Sequence, residues 1–410
     1  MTRSPKMRIV YVNHTGSVSG AEQVLLDILR GLDRSQYEPY LLCPADGRLA
    51  EDIKGEDVPC RPLPPVNSRF ALRPDLVLRS VWHFWKAIAA MRTHITKLKP
   101  DLVHANTIRS GIAASIATTG TGIPVLWHVH DILPRHMLST AIRSFARASR
   151  RTQIIAVSHA TAKEFCGALQ FGGRVRTIHN GIDLDRFPLK SGGRSPFREK
   201  LGISDDAFLV CAVGQVCARK GLRELLGAFA AIQKEAPQMH LAIIGRAVFK
   251  HEEGYLSSLL KTAAESGCAD RVHFTGELRN VSSVLRAADL LVLNSRQEPF
   301  GLVLVEAMSS GTPVLATRVG GIPEVVRDSE NGWLVERGDT HGLASKLLEL
   351  SRNPGMLRQA AKAGRETTCP QFSLQRFQSN LQRVYSEFKP QQDFTWEMRN
   401  RPALAEVGKT

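Results

Sequence analysis

The chain reads as an α/β protein built from two doubly wound, Rossmann-like domains that face a central cleft. Three observations predict this. Short, near-continuous apolar runs recur along the chain, as expected of parallel strands buried on both faces. They alternate with segments of helical apolar spacing, the order that builds a parallel sheet covered by helices. The alternation also stops near residue 186 and restarts at 207, across a polar stretch rich in Gly and Arg. A length of 410 residues suits two such units at roughly 150 residues per domain.

The first series opens with a strand over 7–13, followed by helical spacing over 22–29. Further strands are expected near 38–43, 58–63, 101–106, 124–130 and 153–158, and the series closes over 175–183. Residues 186–206 read as a linker. The second series places strands at 207–214, 239–245, 271–276, 289–294 and 312–317, with helices over 220–235, 252–266, 303–310 and 340–364. An amphipathic segment, 372–388, precedes a polar tail, 389–410. The expected domains are therefore 1–185 and 207–371. In such sheets a ligand belongs at the carboxyl ends of the strands.

The formal charge is +15, from 54 Lys/Arg against 39 Asp/Glu. It is unevenly distributed: residues 61–151 hold 14 Lys/Arg and 3 Asp/Glu, a local excess of 11. The remainder is nearly balanced, and no nucleic-acid motif accompanies the basic stretch, so a polynucleotide partner is not expected. Seven scattered cysteines, without a CxxC pair or a secretory leader, suit a reducing compartment. No run approaches the roughly 18 apolar residues of a spanning helix. The expected location is cytoplasmic, and peripheral on the inner face of the cell membrane if the basic segment meets lipid. Segments 71–99 and 135–151 combine Trp or Met with Lys/Arg on amphipathic helices, a composition that suits an anionic membrane surface. A solvated helix face with its Trp residues in the core fits the same pattern.

Chemistry concentrates in four segments. In 294–313 a buried strand runs through a polar turn to Gly301 and then a helix, whose free N–H groups favour a phosphate. Glu298 and Glu306 are eight residues apart there. Even on one helix they would lie about 12 Å apart along the axis. That exceeds the roughly 5–5.5 Å of a retaining hydrolase pair, so they suit different parts of one elongated ligand. An exposed helical carboxylate is the plainer alternative for Glu306. In 214–221, Arg219 and Lys220 follow a strand and suit a diphosphate, although the loop is not a Walker A motif and, taken alone, reads more plainly as a loop with exposed basic residues. Ser19-Gly20-Ala21-Glu22 follows the first strand, where small residues allow close approach of a phosphate. Trp127-His128-Val129-His130-Asp131 ends a central strand. One of its histidines could serve the cleft as a hydrogen-bond donor, pack in the core, or hold a metal. No ligand set at metal spacing accompanies it, and no metal is expected.

These residues resemble the retaining nucleotide-sugar glycosyltransferases of family 4, which have the GT-B fold. The match covers about residues 7–388. It rests on Glu298-x7-Glu306, the following Ala-Met-Ser-Ser-Gly-Thr-Pro-Val, and Gly320-Gly-Ile-Pro-Glu324. Asn180-Gly-Ile-Asp183, Gly214 with Lys220-Gly221, Phe274-Thr-Gly276 and Asn331-Gly332 support it. The resemblance implies an acceptor-side first domain, a donor-binding second domain, and a 372–388 helix packed back on the first. It implies catalytic roles for His130, Lys220 and Glu298. Donor contacts would come from Ser19, Gly20, Gln215, Arg219, Lys220, Gly245, Ser295, Glu298, Pro299, Phe300, Gly301, Leu302, Val303 and Glu306.

Gln215 stands where the family often has Arg, and Ser19 where it usually has Gly. The implied reaction moves a sugar from a UDP- or GDP-type donor to a hydroxyl of a glycan or lipid-linked acceptor, with retention and without a required cofactor. The implied setting is bacterial-type polysaccharide, lipopolysaccharide or glycolipid synthesis. A nucleotide-sugar 2-epimerase and a non-catalytic nucleotide-sugar or membrane-binding protein remain as alternatives on the same fold.

Overall fold

The structure is a computed structural model that describes residues 6–64, 74–189 and 195–389. The expected tail beyond 389 and part of the expected linker lie outside the described residues. The first sheet contains β1 (Met7–Val12), β2 (Tyr37–Cys43), β3 (Cys60–Pro62), β4 (Leu102–Ala105), β5 (Val125–Val129), β6 (Thr152–Ala156) and β7 (Val175–Thr177). The second contains β8 (Phe208–Val213), β9 (Met239–Ile244), β10 (Val272–Gly276), β11 (Leu290–Leu293), β12 (Val314–Thr317) and β13 (Trp333–Val335). The strand orders are β3-β2-β1-β4-β5-β6-β7 and β10-β9-β8-β11-β12-β13, and every recorded pairing is parallel. Each order reverses once, between β1 and β4 and between β8 and β11. Those two switch points are where such sheets leave a crevice for ligands.

Burial explains the apolar runs. β4, β5, β11 and β12 are buried at every position, because helices cover both faces of each sheet. Each sheet has a hydrophobic cluster on either side. Ile9, Leu25 and Leu41 lie on one face of the first sheet, with Val10, Val103 and Trp127 on the other. In the second domain, Leu225, Phe229 and Leu241 oppose Leu209, Leu291 and Met308.

The chain crosses between the domains twice, and the crossings run side by side. Ile182 donates to Phe372 O at 2.9 Å, and Leu374 donates to Ile182 O at 2.8 Å. The final helix, Leu374–Ser386, then buries Phe377, Leu381, Val384 and Tyr385 against the cluster that holds Met7, Ile9 and Tyr11. The Tyr385 hydroxyl lies 3.1 Å from the Tyr11 hydroxyl and 2.6 Å from His104 Nδ1. The last element in sequence thus completes the first domain in space.

Three details differ from the sequence expectation. The helix expected over 340–364 is two helices, Thr340–Ser351 and Pro354–Ala363. Pro354 lacks an N–H and holds Asn353 out of the helical region, at φ −125° and ψ 71°. β13 was not anticipated, since three apolar residues carry too little periodicity to announce a strand. Part of the 186–206 stretch is not linker-like. Residues Pro196–Leu201 form a helix that buries Phe197 in the second domain, and Arg198 is buried there too. Its guanidinium donates to Ala287 O at 3.0 Å, Ala207 O at 2.8 Å and Asp289 Oδ2 at 2.6 Å, which satisfies a charge that burial would otherwise penalise.

If the final helix is integral to the first domain, Leu381→Ala should destabilise the protein by about 2–5 kcal/mol, the usual loss for a buried Leu. Guanidinium unfolding checks this. An unchanged midpoint would show that the helix is only loosely attached.

Candidate active site

The site is assembled from loops at the carboxyl ends of strands in both sheets. Past β11, the Asn294 side chain donates to Gly221 O at 2.8 Å. Gly221 has a φ of 61°, and a Cβ there would lie 2.0 Å from Asn294 O, so only glycine permits this approach. The contact brings the turn ahead of Gly221 against the turn after β11. Lys220 Nζ consequently meets Glu298 Oε2 at 2.6 Å, and Ser295 Oγ donates to the same oxygen at 3.0 Å. Both side chains of the ion pair are largely buried. Burial alone would raise the Glu298 pKa, but the charge and hydrogen bond of Lys220 outweigh it. With help from Arg219 and Ser295, they hold the carboxyl below its usual range. Glu298 is therefore ionised at neutral pH.

Gly301, at φ 96°, turns the chain into the helix Leu302–Ser309. The N–H groups of Leu302 and Val303 open this helix, where no intrahelical acceptor precedes them. Across the cleft, Gly20 opens the helix Gly20–Arg30. A Cβ on Gly20 would lie 3.9 Å from Leu302 Cδ1, so the start of one helix packs against the first side chain of the other. Each helix start presents the positive end of its dipole, a feature that suits an anion. Ser19 does not point into it: its N–H and Oγ both donate to Glu22 Oε2, at 3.0 and 2.5 Å.

The remaining expected residues are placed as follows. Glu306 is half-buried, and loss of water pushes its pKa up to about 7, opposed by the charge of Arg186 and reinforced by that of Asp27. Arg219 is exposed, and its charge reaches Glu298 and Asp131. Gly245, at φ 144°, lies against Gly214, and a Cβ would come 1.8 Å from Gly214 O. Phe300 is buried beside Phe372, with ring centroids 5.3 Å apart. Gln215 is held elsewhere, because its Nε2 donates to Glu252 Oε1 at 2.6 Å. The other Glu252 oxygen takes the Val248 and Phe249 amides, at 2.9 and 3.0 Å. The structure thus unites Lys220, Ser295 and Glu298, sets Gly20 opposite Leu302, and ties Gln215 to a neighbouring helix start.

His130 lies one residue past β5, half-buried, with Nε2 3.3 Å from Asn106 Oδ1. Loss of water lowers its pKa to about 3, so the ring is neutral. His128 has the other fate that the strand pattern allows. It is fully buried, stacked 6.3 Å from Phe377 and tilted against His104 with ring centroids 5.4 Å apart.

The domain junction was not legible in advance. Pro299 O accepts from Ser158 Oγ at 2.6 Å and Thr161 Oγ1 at 3.2 Å. The Glu324 carboxylate takes the His159 and Ala160 amides, both at 2.9 Å, and His179 Nε2 at 2.7 Å. A carboxylate of the second domain therefore sits on the N-terminus of a first-domain helix, His159–Cys166. His159, His179 and Glu324 are also the group of three metal-capable side chains found among the described residues. Both carboxylate oxygens are already engaged, which makes the trio a latch. At another rim, Arg48 Nη1 meets Glu277 Oε1 at 3.4 Å beside a cleft of about 710 Å³ lined by residues of both domains. Asn13, Asn106, Ser158 and Arg186 carried no motif in the sequence, because each acts through partners distant along the chain.

Comparison with known proteins places the chain in a family. Residues 193–367 match the model for glycosyl transferases group 1, and residues 18–186 match that for glycosyltransferase family 4. Among curated relatives, N-acetyl-alpha-D-glucosaminyl L-malate synthase of Bacillus anthracis is 31% identical over 57% of this chain and 58% of its own length. D-inositol 3-phosphate glycosyltransferase of Salinispora arenicola is 30% identical over 70% of this chain and 68% of its own length. The chain thus spans less than two thirds of the former relative and slightly more than two thirds of the latter. Among solved structures, Anabaena HepE in complex with UDP-glucose superposes with a TM-score of 0.81 at 25% identity, covering 93% of this chain and 100% of that one. WaaG, a glycosyltransferase involved in lipopolysaccharide biosynthesis, gives a TM-score of 0.70 at 18% identity, over 92% and 99% of the two chains. Two Rossmann-like parallel-sheet domains, with both family models matched in sequence, identify the chain as a GT-B glycosyltransferase of family 4.

Proposed function

We propose that the protein moves a sugar from a nucleoside diphosphate, of UDP or GDP type, to an acceptor hydroxyl with retention at the anomeric carbon. The observation that carries this reading is the pairing of a buried Lys220–Glu298 cluster with two helix starts that pack together at Gly20 and Leu302. The donor diphosphate fits between the helix starts, where the Leu302 and Val303 amides meet its oxygens. Lys220 and Arg219 offset the charge that develops as the diphosphate leaves, which is stabilisation by fixed groups that need no reorganisation. Glu298, kept ionised by Lys220, accepts hydrogen bonds from hydroxyls of the transferred sugar. Glu306 does the same for the ribose.

The departing phosphate oxygen lies on the face from which the acceptor attacks, so it takes the acceptor proton and no separate protein base is required. The charge chemistry is complete without a metal. HepE was solved with UDP-glucose, which favours a UDP-sugar as the first donor to test. The acceptor side falls to the first domain, and a glycan or lipid-linked acceptor of bacterial-type polysaccharide, lipopolysaccharide or glycolipid synthesis fits its basic character.

Exposure of the basic segment favours contact with anionic lipid at the cytoplasmic face. In the helix Pro74–Leu98, Val81, Trp82 and Trp85 are exposed, the two Trp residues at 59% and 56%. Residues 71–73 and the side chains of 74–79 lie outside the description. Lys86 Nζ sits 4.9 Å from the centre of the Trp82 ring, while Met137 and Leu138 are exposed on the helix Met137–Ala148. Not every cation is available: Arg143 is buried and donates to Phe165 O at 3.0 Å. Among the described residues no helix is long and apolar enough to cross a membrane.

Glu298→Gln and Lys220→Ala should each lower transfer at least about tenfold, as expected for groups acting on developing charge. Donor turnover is followed by mass spectrometry over UDP-, GDP- and ADP-sugars with acceptor panels. Wild-type rates in both variants would overturn the assignments. Donor conversion without acceptor would indicate an epimerase, and binding without turnover a non-catalytic protein.

UDP-glucose, which has no group titrating near neutrality, should bind more tightly as pH rises from 6 to 8. The ionised form of Glu306 accepts the ribose hydroxyls, and its proton leaves near pH 7. Calorimetry should show this slope vanish in Glu306→Gln; an unchanged slope would remove Glu306 from the ribose site.

Co-sedimentation with phosphatidylglycerol vesicles should fall roughly tenfold in the Trp82→Ala/Trp85→Ala variant and be weak on phosphatidylcholine alone. Equal binding to both lipids at low salt would exclude the membrane reading.

A further inference from the structure

Three adjacent strands of the first sheet end in a row of polar residues that the reaction scheme above leaves unused. Asn13 follows β1, Asn106 follows β4 and His130 follows β5, at the switch point where the strand order reverses. Both asparagines are fully buried, and Glu22 beyond them is 3% exposed. Buried amides at such a place must be satisfied, and the way they are satisfied sets a direction.

The direction follows from groups with only one possible role. Asn106 Nδ2 lies 3.1 Å from Ala21 O, which can only accept, so that atom is the nitrogen. The same nitrogen donates to Asn13 Oδ1 at 3.2 Å. Asn13 Nδ2 in turn donates to Thr15 O at 2.8 Å and Glu22 Oε1 at 3.2 Å. Glu22 ends the chain, its second oxygen taking the Ser19 N–H and Oγ. The Asn106 group left facing His130 is therefore Oδ1, at 3.3 Å from Nε2. An oxygen there requires a proton on Nε2. In a neutral imidazole the other nitrogen, Nδ1, then carries a lone pair.

We propose that Asn106 and Asn13 are positioning residues that fix His130 as the Nε2–H tautomer, so that its Nδ1 accepts a hydrogen bond from a hydroxyl of the donor sugar. This rests on the glycosyl-transfer reading for the identity of the ligand, but the tautomer itself does not. It reverses the donor role that the strand pattern suggests for a cleft histidine. The relay also ends at Ser19, whose neighbour Gly20 opens the helix that faces Leu302. The imidazole and the phosphate-facing loop are thereby held by one buried network, and each would shift if the other did. The neutral state that the relay requires agrees with the lowered pKa of the ring.

Two-bond ¹⁵N–¹H correlation on ¹⁵N-histidine-labelled protein tests the tautomer without donor or acceptor. His130 is assigned by its loss in His130→Gln, or in His130→Phe if the first variant folds poorly. A protonated Nε2 with a pyridine-type Nδ1 is expected; a protonated Nδ1, or an equal mixture, would overturn the proposal. In Asn106→Ala the pattern should become mixed, and retention of the single tautomer would also overturn it.

With a turnover donor in hand, Asn106→Ala should lower kcat about tenfold or more, as a misplaced group does, with KM for the donor changing much less. In a His130→Ala background the same substitution should cost less than about twofold, since its effect passes through the ring. Losses that simply multiply would mean that Asn106 only supports the fold. If no donor is ever found, the tautomer measurement decides alone.

Discussion

The turn Glu298-Pro299-Phe300 is the constraint on which both the site and the domain arrangement depend. Its side chains and its carbonyls are committed in different directions. The Glu298 carboxylate pairs with Lys220 inside the second domain, while Glu298 O accepts from Gly321 N at 3.0 Å. Pro299 O is taken by two hydroxyls of the first domain, and Phe300 is locked in the core beside Phe372. Gly320 makes this possible: at φ 54°, a Cβ would lie 1.9 Å from Glu298 O. Any shift of the domains therefore pulls on the backbone that carries the candidate sugar-binding carboxylate.

Two of the carboxylates at the site and the domain junction are held by close partners. Removing an ion pair from water costs several kcal/mol per ion, which close geometry and extra hydrogen bonds must offset. Lys220 and Glu298 meet at hydrogen-bond distance with a hydroxyl in support, and Glu324 gains two backbone amides and an imidazole. Glu306 has no comparable partner, and its proton is held to about pH 7. Two carboxylates eight residues apart thus differ in protonation because only one of them has a lysine.

Much of the fold was legible in the sequence. The sequence pattern located twelve of the thirteen strands among the described residues, most of them because a strand covered on both faces cannot hide its composition. β13 escaped because three residues are too few to show a pattern. The helix break at Pro354 was written in the sequence, but the length of the apolar pattern masked it. The candidate site was legible where motifs combine, as with Glu298, Lys220 and the glycines at strand ends, although Lys220 taken alone has a plainer reading. Asn13 and Asn106 were not, since an asparagine after a strand is ordinarily a turn former. Gln215 reads locally as a loop residue, and nothing local reveals that Glu252 holds it.

The sequence by itself determined the two parallel sheets, the crevice at their strand ends and the main charged groups offered there. These follow from local periodicity and from the few places where glycine is obligatory. The tertiary structure decided the pairings. Lys220 and Glu298 are 78 residues apart, Ser158 and Pro299 are 141 apart, and Tyr385 reaches His104 across 281. Which group neutralises which, and which nitrogen of His130 keeps its proton, depends on contacts that form only when both sheets and the returning helix are in place. No pattern along the chain encodes them, because hydrogen bonds join neighbours in space.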